Sequence, residues 1–146
     1  MKKVYLAVIG CLLSSATYAT EINKYSDEFQ QVEKECSLLA SDFSKSDNSR
    51  DEFDLKNCLN WSLQLTIAEN PMDKEDVVLA AMKVSEPRTA EIVGVAIAAG
   101  LEPAKVVAAA TQIYPMLSAD ISKAAIQAGA DPALVTEATA AGKAKK

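Results

Sequence analysis

The second half of this chain repeats itself with an offset of 29 residues. Thr89-Ala90-Glu91-Ile92 returns as Ser118-Ala119-Asp120-Ile121. The block Ala96 to Val106, which contains Gly100-Leu101-Glu102-Pro103, returns as Ala125 to Val135, with Gly129-Ala130-Asp131-Pro132. Such an echo constrains architecture before chemistry, because each unit is one supersecondary piece that stacks on its neighbour.

The punctuation within the repeat is helical. Ile92, Val95, Ala96 and Ala99 form one apolar stripe, and Ile121, Ala124, Ala125 and Ala128 form its copy. Thr89 and Ser118 are placed to cap these helices, with Glu91 and Asp120 in the first turn. Gly100 and Gly129 fall where a helix ends in the left-handed conformation. Asp131 is placed to cap the next helix, and Pro103 and Pro132 to occupy its first turn. Gly142 is expected to end the last helix. Alanine fills about a third of residues 90–142, so helix axes can approach closely. A worn earlier copy is expected further back. Ile67 to Asn70 aligns with Ile97 to Gly100, and Asp76 to Ala81 aligns with Lys105 to Ala110, with a linker one residue longer.

The first half reads as a helical hairpin. Ile22, Tyr25, Phe29, Val32, Cys36 and Leu39 lie on one helical face. Ser41 to Arg50 is polar and aperiodic and reads as a loop. Ser49 and Glu52 have capping-box spacing, which predicts a second helix from there to about Glu69. Within it Trp61, Leu63, Leu65 and Ile67 alternate with polar residues, which is a strand signal. A lone strand would leave its backbone groups unpaired, so helix is the expectation. The fold class that follows is all-α: a helical hairpin leading into short stacked repeats of helix, Gly-x-acidic-Pro and helix. About seven helices are expected in one small domain, a short α-solenoid-like bundle. Residues 20–70 form the hairpin, 71–142 the repeats and 143–146 a basic tail.

The leader bears on compartment. Lys2 and Lys3, the apolar run Val4 to Leu13 and the small residues through Ala19 have the form of a secretory signal cleaved after Ala19. Val8-Ile9-Gly10-Cys11 resembles a lipobox, but cleavage there would leave an unusually short signal, so lipidation at Cys11 is not expected. The expected location is the bacterial periplasm or the exterior, with no transmembrane segment in the mature chain. Cleavage leaves Cys36 and Cys58, an even pair that reads as one disulfide in an exported protein. Asn60-Trp61-Ser62 matches a glycosylation sequon by chance, inside a predicted helix.

Losing Lys2 and Lys3 takes the net charge from −5 to −7. An acidic chain repels phosphate backbones, so nucleic-acid binding is not expected. Lys143, Lys145 and Lys146 form a solvated end suited to a helix C-terminus. There is no histidine, so the commonest general base and zinc ligand is missing. Asp73 and Asp76 suit a helix start better than acid–base work. Ser46 to Asp51 has oxygens but not a calcium-loop pattern. No catalytic residue, metal or cofactor is expected.

The expected function is therefore a non-enzymatic interaction or structural protein of the envelope, which binds a protein partner or self-associates through its repeat surface. Met72, Met82, Tyr114, Met116 and Leu117 are the candidate patch, because methionine and aromatic residues suit interfaces. The final helix is Ala-rich with only a lysine tail to make it polar, so that end is expected to meet a partner or another copy. The alternative is a small carrier of an apolar ligand, held between hairpin and repeats in a cavity lined by Trp61, Leu65 and Tyr114.

Overall fold

The computed structural model describes residues 24–39, 41 and 55–144. The leader, the Ser49–Glu52 capping box, the 46–51 segment, and Lys145 and Lys146 lie outside the described residues. The described residues form seven α-helices and no strand: α1 (24–39), α2 (Leu55–Glu69), α3 (Lys74–Val84), α4 (Thr89–Ala98), α5 (Pro103–Ile113), α6 (Ser118–Gln127) and α7 (Pro132–Ala144). Short 3-10 turns, Glu86–Arg88 and Pro115–Leu117, lead into α4 and α6.

The period governs three copies, of which the worn earlier copy is the first. The helices α2, α4 and α6 end at Glu69, Ala98 and Gln127, and α3, α5 and α7 begin at Lys74, Pro103 and Pro132. Each spacing is 29 residues, so the linker of the first copy has the same length as the others and Ile67 corresponds to Ala96 rather than Ile97. The helices α2, α4 and α6 make one layer and α3, α5 and α7 the other. Core positions recur accordingly: Leu63, Ile92 and Ile121 are buried, as are Ile67, Ala96 and Ala125, and Val77, Val106 and Val135.

Local backbone chemistry explains the turns. Gly100 and Gly129 have φ of +87° and +97°, which only glycine adopts freely. They let Leu101 N–H reach Ala96 O at 3.1 Å and Ala130 N–H reach Ala125 O at 3.0 Å, the bonds of a Schellman motif. In the first copy Pro71 stands at that position. There Asp73 N–H bonds Asn70 O at 3.1 Å instead. Met72 is left exposed where Leu101 and Ala130 are buried. Asp131 caps α7 as expected, its Oδ1 accepting Ala133 N–H at 2.7 Å. Thr89 and Ser118 do not cap. Thr89 is fully buried and donates to Glu86 O at 2.8 Å, because the chain enters α4 already coiled in a 3-10 turn. Gly142 does not end α7, which runs on to Ala144.

The hairpin is fastened to the first copy at three levels. Cys36 and Cys58 form the disulfide, with Cα atoms 6.1 Å apart. Tyr25 Oη donates to Asn70 Oδ1 at 3.2 Å and Asp73 Oδ2 at 3.1 Å, and Ser85 Oγ donates to a Glu33 carboxylate oxygen. α1 therefore runs antiparallel to α2 and along α3, burying Tyr25, Phe29 and Cys36. The alternation in α2 resolves into a helix with two apolar faces. Leu59, Leu63 and Ile67 point inward, while Trp61 and Leu65 point to solvent.

Candidate functional site

Side-chain size sets how closely the copies pack. α4 lies on α6, and α5 on α7, along most of their lengths; α2 on α4 and α3 on α5 touch far less. At Gly94 of α4 a Cβ would stand 3.9 Å from Ala124 O of α6, so small residues let the two backbones close up. The first copy has Trp61 and Leu65 where the second has Ala90 and Gly94. In the other layer α5 receives α7 through Ala108, Thr111 and Gln112, against Gly142. Their counterparts in α3 are Leu79, Met82 and Lys83, and the counterpart of Gly142 in α5 is Ile113. Larger side chains at both layers hold the first copy off the second and leave a seam.

Two grooves and a small cleft lie on that seam. The larger, of about 470 Å³, has Trp61, Gln64, Leu65 and Ala68 on one wall and Ala98 and Ala99 on the other, with Lys74 at one end. Trp61 is 67% exposed and Leu65 43%, on one stripe of α2. A second groove of about 430 Å³ begins at the same Lys74 and is walled by Asp73, Glu75, Asp76 and Glu102, with Met72 and Leu101. Between α3 and α5, a cleft of about 60 Å³ is lined by Leu79, Met82 and Val106.

The expected patch is not one surface. Met82 must be removed from it: this side chain is fully buried in the core, where α3 faces inward. Leu117 and Tyr114 are half-buried against the core, and Tyr114 Oη donates to Met82 O at 3.1 Å. Burial, with Glu86 adding to it, raises the Tyr114 phenol above its ordinary pKa. Met116 is 94% exposed and Met72 92%, but they stand at opposite ends of the helices. Met72 precedes the start of α3, whereas Met116 follows Tyr114, which is bonded near the end of α3.

The free end of the repeats also differs from expectation. Val93, Val107 and Ala110 of the second copy have no exposed surface. Their counterparts are Ser122, Thr136 and Thr139, and Ala108 becomes Glu137. The hydroxyls of Ser122 and Thr139 lie 2.9 Å apart, and they donate to Ser118 O and Val135 O at 2.8 and 2.7 Å. This is how a terminal repeat stays wet-faced. The last copy is polar where the second is apolar, so the lysine tail is not its only protection.

Among the described residues, the space found between the hairpin and the repeats is small. The space walled by Phe29, Val32, Leu59, Leu63 and Ile92 is about 20 Å³, enough for about one water. Trp61 and Leu65 do share a groove, but Tyr114 is not on it. Among the described residues no group of His, Cys, Asp and Glu is arranged to hold a metal ion, and no helix is long and apolar enough to cross a membrane. Lys105 has its pKa raised by its hydrogen bond to Glu102, 3.2 Å away, with Glu75 at 3.6 Å adding to it. That is a surface ion cluster on the rim of the acidic groove.

No protein-family model matches this chain, and neither a curated protein nor a solved structure matches it.

Proposed function

We propose that this chain is a non-enzymatic, exported binding module, and that it takes a protein partner on the seam between its first two repeats. The observation that carries the reading is the Trp61–Leu65 stripe, open to solvent on the wall of a groove of about 470 Å³. Large aromatic and aliphatic side chains grouped on a concave surface are what a partner desolvates for most of its binding energy. The Cys36–Cys58 disulfide supports a location outside the cytoplasm. The polar last copy also favours the seam over the chain end as the place of contact.

The test is a photo-crosslinking amino acid placed at Leu65 in living cells, with Leu134, exposed on α7, as control. A discrete adduct at Leu65 and none at Leu134 is expected. Equal labelling at both, or none at Leu65, would overturn the seam as the binding surface.

A further inference from the structure

Lys74 lines both the apolar groove and the acidic groove, so the two adjoin and together make a furrow along the seam. We propose that the partner segment seated there is cationic and amphipathic: it lays apolar side chains on Trp61 and Leu65 and carries lysine or arginine to Glu75, Asp76 and Glu102. This rests on the reading that the seam takes a protein partner, and names that partner's chemistry.

Charge carries the argument. Four carboxylates, from Asp73, Glu75, Asp76 and Glu102, wall the second groove against Lys74, with Lys105 at the rim. Lys105 already serves Glu75 and Glu102. Asp76 Oδ1 is buried and has no hydrogen-bond partner among the described residues. That oxygen is closed to an arriving group, so the attraction rests on the net charge of the groove, four carboxylates against Lys74 and Lys105. The furrow therefore asks for apolar groups at one end and positive charge at the other. A second copy docked face to face would bring the same acidic wall to its own, in a chain that is acidic overall, and like charges brought together oppose it. An anionic amphiphile meets the same repulsion.

The chain holds a single tryptophan, so Trp61 fluorescence reports the groove directly. The probes are a Leu/Lys amphipathic peptide of about two helical heptads and its Leu/Glu counterpart. The Leu/Lys peptide is expected to shift the emission to the blue, and the Leu/Glu peptide to leave it unchanged. Leu65→Ser, on the wall of the apolar groove, should weaken binding by about tenfold. Asp76→Asn with Glu102→Gln should weaken it several-fold and flatten its salt dependence, while Asp120→Asn on α6 should not. Binding of Leu/Glu as tight as Leu/Lys, or Leu/Lys binding indifferent to Leu65→Ser, overturns the proposal. So does a dimer that buries Trp61 without peptide. A cross-link at Leu65 in cells with no Leu/Lys binding would overturn only the cationic partner and leave the seam standing; loss of both removes the two readings together.

Discussion

The two junctions between repeats are built from one period and behave differently. Between the second and third copies, Gly94 and Gly142 let α4 reach α6 and α5 reach α7. Between the first and second, Leu65 and Ile113 stand in place of those glycines, and Trp61 and Leu79 in place of Ala90 and Ala108. A side chain in place of a hydrogen or a methyl moves a helix axis outward, because cores are close-packed and cannot absorb the volume. The junction that lost its small residues gained open grooves. What a repeat gives up in packing it can offer as binding surface.

The comparison can be broken most strongly at its two fastenings. Replacing Cys36 and Cys58 with serine should cost about 3 kcal/mol, since the crosslink limits the unfolded chain. Hydrogen exchange should show the loss in α1–α3, with α5 and α7 little changed. Equal acceleration throughout would mean that the seam does not separate two units. Gly142→Ala attacks the tight junction instead. Its Cβ would stand 2.6 Å from Ala108 O and 2.8 Å from Thr111 Cβ, so α7 must shift at a cost of about 2 kcal/mol, although alanine is the better helix former. A stabilised Gly142→Ala protein would refute the close approach.

Smaller effects sharpen the same contrast. Thr111 is fully buried and its Oγ1 has no hydrogen-bond partner among the described residues. Thr111→Val should stabilise the tight junction by about 1 kcal/mol, read from urea midpoints at constant slope. Tyr114 ties the end of α5 to α3 across the seam. Its phenol is raised by burial, so the neutral form is the one the fold favours. That contribution is complete below the ordinary tyrosine range and is lost as pH rises through the folded value, above about 10. Thermal melts across this window should show Tyr114→Phe lacking that part of the alkaline loss. Trp61→Ala should change stability least, within about 0.5 kcal/mol, because its side chain is mostly in solvent.

Much of the fold is legible in local sequence. Gly100 and Gly129, the prolines that follow, and Asp131 act within a few residues of themselves, so their roles survive in the structure. The disulfide follows from an even cysteine pair on two antiparallel helices. Thr89 and Ser118 misled because a preceding 3-10 turn changes what their backbone requires. Gly142 misled because glycine serves both chain reversal and close approach, and only the neighbour across the junction tells which. Met82 and Met72 are alike as residues, yet one is fully buried and the other 92% exposed, a difference set by the turn at Pro71 and the inward side of α3. The furrow left one trace in the sequence. The alternation of Trp61, Leu63, Leu65 and Ile67, odd for an ordinary amphipathic helix, marks a helix with two apolar faces.

By itself the sequence determined the period, the turns at Gly100 and Gly129 and the crosslink, because hydrogen bonds and φ preferences act over a few residues. Tertiary structure alone decided which junction closes and which stays open. That depends on pairs of side chains 29 residues apart, one small and one large, meeting or failing to meet a neighbouring helix.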